Sequence, residues 1–122
     1  MTVLRAATTI NNNIKEEMQV AVLQMFETLV QKNNLDLNQI CCIIFACTQD
    51  LTCANPATCL RIKIKKVADI PLLCLAHHEY DGALKFCIRI MLMTNQKIDE
   101  VHHVYLNNAK VLREDLNDKY SN

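Results

Sequence analysis

The chain has 122 residues, of which 51% are hydrophobic and 21% are charged, and this composition is typical of one globular domain, not of a disordered chain. Its 13 basic residues equal its 13 acidic residues in number, so no overall field favours nucleic acid or an anionic membrane as a partner. The longest apolar run, Ile40 to Cys47, is too short to cross a bilayer, and the first residues lack the pattern of a secretory signal peptide, so we expect a cytoplasmic protein.

The first half of the chain predicts two strands separated by a long helix. A β-like stretch runs from Thr2 to Thr8. Apolar residues then recur every three to four positions, which predicts an amphipathic helix from Ile14 to about Lys32. The expected N-caps of this helix are Asn11, Asn12 and Asn13. The run from Ile40 to Ala46 is rich in β-branched and aromatic residues, and it predicts a buried strand.

The second half predicts a short helix followed by further strands. Asn55 before Pro56 is the pattern of an N-cap with proline in the first turn, and the helix should end near Ile64. The predicted strands are Ile70 to Leu75, Leu84 to Thr94, and a hairpin of Val101 to Leu106 and Ala109 to Leu112 joined at Asn107-Asn108. We expect one α+β domain over residues 1–116, with a β-sheet covered by helices on one face, and a mobile tail over residues 117–122. Turns with a positive φ should fall to asparagines, because the chain has a single glycine.

Two arginines lie inside apolar segments, where a charge is costly to bury. Arg89 stands in the middle of the run from Phe86 to Leu92, and Arg5 stands between Leu4 and Ala6. A buried guanidinium group requires an anion or several hydrogen bonds. One interpretation is a structural ion pair, or a side chain that extends to the edge of the sheet. The other is a shared site for a carboxylate ligand, because the guanidinium group matches a carboxylate in shape.

The remaining reactive side chains do not form a recognisable catalytic or metal-binding motif. Cys74 to His78 has the form Cys-x-x-His-His, and His102-His103 adds two imidazoles, but a zinc site needs a second closely spaced pair of ligands. Cys74 lacks the orienting group and the oxyanion motif of a catalytic nucleophile. Tyr105 is either a core residue or a hydrogen-bond donor to a carboxylate. A glycine-rich phosphate loop is also absent from the sequence, so we expect neither a metal nor a cofactor.

Several motifs occur in the order and spacing of one known family. They are Arg5-Ala6-Ala7-Thr8-Thr9, Ala46-Cys47-Thr48-Gln49-Asp50-Leu51, Pro56-Ala57 with Arg61, Pro71-Leu72-Leu73-Cys74, Cys87-Ile88-Arg89-Ile90-Met91, and His103-Val104-Tyr105-Leu106 with Val111-Leu112-Arg113. Along nearly the whole chain they resemble the monofunctional chorismate mutases of the AroH class. The resemblance implies an α+β subunit with a mixed sheet, in a homotrimeric pseudo-α/β-barrel with active sites between subunits. It also implies an isomerase that converts chorismate to prephenate by a Claisen rearrangement, without a cofactor, in phenylalanine and tyrosine biosynthesis.

The resemblance also assigns roles to individual residues. Arg89 would place its charge beside the ether oxygen whose bond breaks, while Arg5 and Tyr105 would hold a substrate carboxylate. Arg61 and Arg113 would help to close the site. The remaining residues that the resemblance places near the substrate, in part from the neighbouring subunit, are Leu73, Cys74, Asn55, Ala57, Thr58 and Leu112.

The chain departs from the family pattern at several positions. His77 stands where the family has a glutamate that contacts the ring hydroxyl of the substrate, so the resemblance places His77 with Arg89, Arg5 and Tyr105 among the catalytic residues. Glu79, two residues later, would take over that role only after a local shift of the backbone. Asn55 replaces an aromatic residue, and Thr58 replaces a lysine. Ala6 replaces the motif glycine, so the backbone there must avoid a positive φ or bear strain.

Three functions are compatible with this pattern. The first is a working chorismate mutase. The second is a catalytically impaired relative that binds a dicarboxylate metabolite on the same trimeric fold. The third is a different enzyme of similar trimeric architecture, such as a small imine deaminase with an interface arginine, although its motifs match this sequence less well.

Overall fold

The computed structural model describes residues 1–112, which form one mixed β-sheet and two α-helices. The strands are β1 (Thr2–Thr9), β2 (Ile40–Cys47), β3 (Leu72–Ala76), β4 (Cys87–Thr94) and β5 (Val104–Tyr105), and the helices are α1 (Lys15–Asn33) and α2 (Pro56–Lys63). Three short 3-10 helices occur at Leu37–Gln39, Lys65–Asp69 and Asn107–Val111.

The five strands lie in the order β3-β2-β4-β1-β5. Strand β4 is antiparallel to both of its neighbours, β1 and β2. In contrast, β3 is parallel to β2, and β5 is parallel to β1. The predicted α+β fold, with a mixed sheet and helices on one face, is therefore confirmed.

The alternation of side chains along the strands gives the sheet a covered face and an open face. On the covered face, residues Leu4, Ile43, Phe45, Ile88 and Leu92 are completely buried in one core with Met18, Val22, Met25, Phe26 and Leu29 of α1. The intervening strand residues point to the other side, which the two α-helices do not cover. There, Val3, Leu73, Leu75 and Met91 are between 40% and 53% exposed. We call this side of the sheet the open face.

The predicted N-caps of α1 are wrong. The N-cap is Ile14, and no side chain caps the helix there. Asn13 instead binds a distant loop, because its Nδ2 donates to the Thr52 hydroxyl at 2.7 Å and its Oδ1 accepts the Thr52 and Cys53 N–H groups. Asn12 donates its backbone N–H to the Glu17 carboxylate at 3.3 Å. Asn13 therefore fixes the approach to α1 through a tertiary contact, and Asn12 through a local contact with the first turn of the helix.

The predicted hairpin at the end of the described chain is also wrong. Only Val104–Tyr105 forms a strand, and it pairs with β1 and not with the residues after it. Asn107 has a φ of 54°, and its side chain donates to the Thr8 hydroxyl at 3.0 Å. The N–H of Asn108 donates to the Thr9 hydroxyl, and residues 107–111 then form a 3-10 helix. Hydrogen bonds to β1 thus replace the local turn that the sequence suggested.

The positive-φ residues confirm most of the expectation about asparagines. Asn34 and Asn107 adopt positive φ, as does the glycine, Gly82, but so does Phe86. Phe86 is held in this conformation because both carboxylate oxygens of Asp50 accept its N–H, at 3.0 and 3.2 Å. For this reason β4 begins at Cys87, later than predicted. Ala6, in contrast, is not a positive-φ residue, so the missing motif glycine creates no backbone strain of that kind.

Candidate active site

A cavity of about 300 Å³ lies on the open face of the sheet. Residues of β1, β2, β4 and β5 form its walls, together with the residue that follows β3. The lining residues are Arg5, Ala6, Ala7, Ile44, Ala46, His77, Arg89, Ile90, Met91 and Tyr105. One cavity thus contains the four residues that the sequence analysis assigned to catalysis, Arg5, His77, Arg89 and Tyr105.

The strand register surrounds Arg89 with small residues. Arg89 is paired with Ala46 on β2 and with Ala7 on β1, and Ala7 is paired with Tyr105 on β5. Because both neighbours carry only a methyl group, there is space on either side of the Arg89 side chain. Arg5 is paired with Met91, so it lies diagonally from Arg89, at a backbone separation of roughly 7–8 Å.

Within residues 1–112, the cavity wall is cationic and has no balancing acid. It contains two guanidinium groups, an imidazole and a phenol, and none of the described lining residues is acidic. The Nε atom of Arg89 is buried and has no hydrogen-bond partner among the described residues. These observations do not support the interpretation of Arg89 as half of a structural ion pair with the cavity wall. They favour an anionic ligand that accepts hydrogen bonds from the guanidinium groups.

The cysteines near the cavity do not have the properties of nucleophiles. Burial raises the pKa of the Cys87 thiol, and the nearby Arg89 guanidinium offsets part of this effect. Cys74 packs against the covered-face core, and it is not among the residues that line the cavity. Burial raises its thiol pKa as well, while a hydrogen bond with Cys47 acts in the opposite direction. A reactive cysteine requires a lowered pKa, so neither thiol suits covalent catalysis.

His77 contributes an imidazole to the cavity from the end of β3. Its backbone N–H donates to the Cys47 carbonyl at 2.7 Å, which extends the pairing of β3 with β2 by one residue. Its Nδ1 atom is buried and has no hydrogen-bond partner among residues 1–112. Glu79 is exposed and lies beside Asp81 in a different depression. Within the described chain, position 77 therefore reaches the cavity and position 79 does not.

The other residues suggested as substrate contacts lie outside this cavity. Asn55, Ala57, Thr58 and Arg61 belong to the start and middle of α2, where Asn55 caps the helix by accepting the Ala57 N–H at 2.9 Å. Asn55 and Thr58 line a separate depression on the helical side of the molecule. Arg61 donates to the Thr58 hydroxyl at 3.4 Å. Within residues 1–112, α2 therefore does not reach the Arg89 cavity.

The last three residues predicted to contact the substrate are Leu73, Leu112 and Arg113. Leu73 is on the open face and is 53% exposed, although it does not line the cavity. Leu112 packs against a small cluster of Ala7, Tyr105 and Ala109, which adjoins the cavity wall. Arg113 lies outside the described residues, as does the predicted mobile tail over residues 117–122.

The alanines that shape the cavity floor were not among the residues predicted to form the site. Ala7 and Ala46 provide the space beside Arg89, yet neither has a reactive side chain. Alanine is uncommon in strands, so an alanine inside a segment predicted to be a strand was the available signal. Among residues 1–112, no group of three or more His, Cys, Asp or Glu side chains is arranged to hold a metal ion. In this part of the chain we also find no helix with the length and hydropathy needed to cross a membrane.

Comparison with known proteins places these features in a family. The chain matches the family model for chorismate mutase type I over residues 1–116. It is 30% identical to chorismate mutase AroH of Bacillus subtilis (strain 168) over 115 residues, which cover 93% of this chain and 90% of that protein. It is 32% identical to chorismate mutase AroH of Thermus thermophilus over 117 residues, which cover 93% of each chain.

The fold agrees with this match. A solved structure of a chorismate mutase from Clostridium thermocellum is similar to the chain with a TM-score of 0.85 and 34% sequence identity. The similarity covers 91% of this chain and 99% of that chain. Because sequence and fold agree over most of its length, the chain belongs to the chorismate mutase type I family.

Proposed function

We propose that the protein is a cytoplasmic chorismate mutase, an isomerase that converts chorismate to prephenate for phenylalanine and tyrosine biosynthesis without a cofactor. The observation that carries the proposal is the cavity that contains Arg5, Arg89 and Tyr105 and has no acidic lining residue in the described part of the chain. Chorismate has two carboxylates, which such a wall is suited to bind. The family membership of the chain supports the same reaction.

The chemistry of the rearrangement suits this set of side chains. The reaction breaks an ether carbon–oxygen bond and forms a carbon–carbon bond within one molecule, so it needs neither a nucleophile nor a proton transfer. Catalysis then requires that the substrate be held with its reacting carbons close together. It also requires that the charge that develops on the ether oxygen be stabilised.

Each cavity residue has a proposed part in this process. Arg89 stabilises the ether oxygen, since its Nε is buried and a buried charge is weakly screened by water. Arg5 and Tyr105 bind a carboxylate of the substrate. His77 faces the ring hydroxyl and accepts its hydrogen bond through an imidazole nitrogen.

We further propose that the working unit is a homotrimer whose active sites lie between subunits. The open face carries exposed apolar side chains, Val3, Leu73, Leu75 and Met91, and clustered apolar exposure is typical of an interaction surface. The Arg89 cavity lies on the same face. A neighbouring subunit placed there would cover the apolar residues and close the cavity.

The same assembly accounts for the predicted contacts that a single subunit leaves apart. Asn55, Ala57, Thr58 and Arg61 all belong to α2 or its N-cap. In the proposed trimer this helix end, together with the edge strand β3 around Leu73 and Cys74, completes the cavity of the next subunit. Leu112 and Arg113, which follow the cluster around Tyr105, help to close the site.

A direct assay of prephenate formation tests the proposed activity. We expect cofactor-free turnover by the purified protein that is unaffected by metal chelators. Tight binding of a bicyclic diacid that mimics the transition state, without turnover, would instead identify a dicarboxylate-binding module. No described residue and none of the relatives named above favours that alternative. Absence of both turnover and binding would refute the proposal.

The assembly is tested separately, by light scattering and sedimentation at micromolar concentration. We expect a species of three subunits. A purely monomeric protein that still turned over chorismate would refute the shared site while leaving the reaction intact.

A further inference from the structure

Asn33, the last residue of α1, uses its buried side chain to bind a distant backbone segment. It is 6% exposed. Its Oδ1 accepts the His102 N–H at 2.8 Å, and its Nδ2 donates to the His102 carbonyl at 2.8 Å. The same Nδ2 donates to the Leu29 carbonyl at 2.9 Å. The amide therefore pairs with both backbone polar groups of His102, as a neighbouring strand would.

The segment held in this way carries Tyr105, and its own strand pairing is short. Strand β5 contains two residues, which are paired with Ala6 and Ala7. It lies at the edge of the sheet. A shift of one residue in its register would turn Tyr105 to the opposite face. A strand of two residues fixes its own register weakly. Contacts outside the strand pairing must therefore help to hold β5 in register.

A second contact links the same segment to Arg5. The backbone N–H of Arg5 donates to the Nδ1 atom of His103 at 3.0 Å. The Leu106 N–H then donates to the Ala7 carbonyl at 2.9 Å. Residues 102–106 are consequently tied to α1 at one end and to β1 along their length, with the Asn33 amide as the attachment to the helix.

We infer that Asn33 is a positioning residue for the active site, because its side-chain amide sets the register in which Tyr105 meets Arg5 at the cavity wall. The expected change in kinetics rests on the proposed chorismate mutase activity. The expected change in the position of residues 102–106 does not. Asn33 does not line the cavity, so it acts through Tyr105 and not on the substrate.

The expected kinetic effect of Asn33→Ala is a rise in KM of roughly tenfold with a smaller change in kcat. Loss of a contact far from the chemistry reduces activity through misplacement of a substrate-binding group. A carboxylate contact made in both the ground state and the transition state affects mainly KM. Asn33→Asp retains the side-chain volume and an acceptor for the His102 N–H, but it removes both donated hydrogen bonds. It should change KM in the same direction, and it carries the test if Asn33→Ala does not fold.

A double-mutant cycle with Tyr105→Phe separates positioning from general stability. If Asn33 acts through Tyr105, then Asn33→Ala changes kcat/KM by less than about twofold once the Tyr105 hydroxyl has been removed. Equal effects of Asn33→Ala in the two backgrounds would overturn the inference. The matched control is Thr94→Ala. Thr94 is also buried, and its hydroxyl bonds to the backbone of Gln39 and Gln96 at the C-terminal end of β4. A rise in KM in this control, equal to that of Asn33→Ala, would also overturn it.

Amide hydrogen exchange provides a readout that does not depend on catalysis. We expect the Leu106 N–H to exchange faster in Asn33→Ala than in wild type, with no such change in Thr94→Ala. If the wild-type protein does not turn over chorismate, the proposed function fails, and this exchange measurement decides the role of Asn33 by itself. Unchanged protection of Leu106 in Asn33→Ala would refute the positioning role even in an active enzyme.

Discussion

Replacing His77 with glutamate is the most informative single change at this site. The imidazole enters a cavity that Arg5 and Arg89 also line, and none of the lining residues among positions 1–112 is acidic. The Nδ1 atom is buried without a partner among the described residues. A glutamate here restores the residue type that the resemblance assigns to this position. Its carboxylate would accept the hydrogen bond of the ring hydroxyl and would partly balance the two arginines.

The size of the effect follows from the strength of the hydrogen bond. A hydrogen bond to a charged acceptor contributes about 1.5–3 kcal/mol, compared with about 0.5–1.5 kcal/mol for a neutral pair. The gain is therefore about 1 kcal/mol, which corresponds to about a fivefold rise in kcat/KM. The two neighbouring guanidinium groups favour the ionised carboxylate and so offset its desolvation cost.

Steady-state kinetics of His77→Glu, His77→Gln and Glu79→Gln test this reasoning. His77→Gln supplies a neutral acceptor, so it should remain close to wild type, and only the charged variant should gain. Glu79 is exposed and does not line the cavity, so Glu79→Gln should have little effect. The opposite pattern, damage by Glu79→Gln and a loss in His77→Glu through repulsion between two carboxylates, would refute the assignment of position 77.

Three further changes test the remaining parts of the structure. Arg89→Ala should lower kcat by on the order of a hundredfold or more, and sedimentation should show the same assembly as for wild type. Normal turnover would show instead that Arg89 has a structural role. Arg5→Ala should act substantially through KM, because a carboxylate is bound in both ground and transition states; a fall in kcat alone would contradict this. Asp50→Ala should lower the free energy of unfolding in urea by about 1–3 kcal/mol, because the Phe86 N–H and the Thr48 hydroxyl lose their acceptor; an unchanged midpoint would show that Asp50 does not hold Phe86.

The predicted site and the structure agree best where the sequence was locally unusual. Arg89 and Arg5 stand out because a charge inside an apolar run requires a partner, and both line the cavity. The order of short motifs along the chain indicated the chorismate mutases, and the family match over residues 1–116 confirms that resemblance. The roles assigned to Asn55, Ala57, Thr58 and Arg61 remain predictions, since a single subunit keeps α2 away from the cavity.

The sequence by itself determined the elements whose signal is local and repeated. The periodic apolar pattern predicted α1 to within one residue at each end, and the β-branched run predicted β2. Tertiary structure alone decided that Ala7 and Ala46 flank Arg89, and that residues 104–105 pair with β1 instead of forming a hairpin. The physical reason is that the hydrogen bonds that fix β5, from Asn33, Arg5 and Ala7, join residues between 69 and 99 positions apart. Local propensity in a two-residue strand is too weak to predict such pairings.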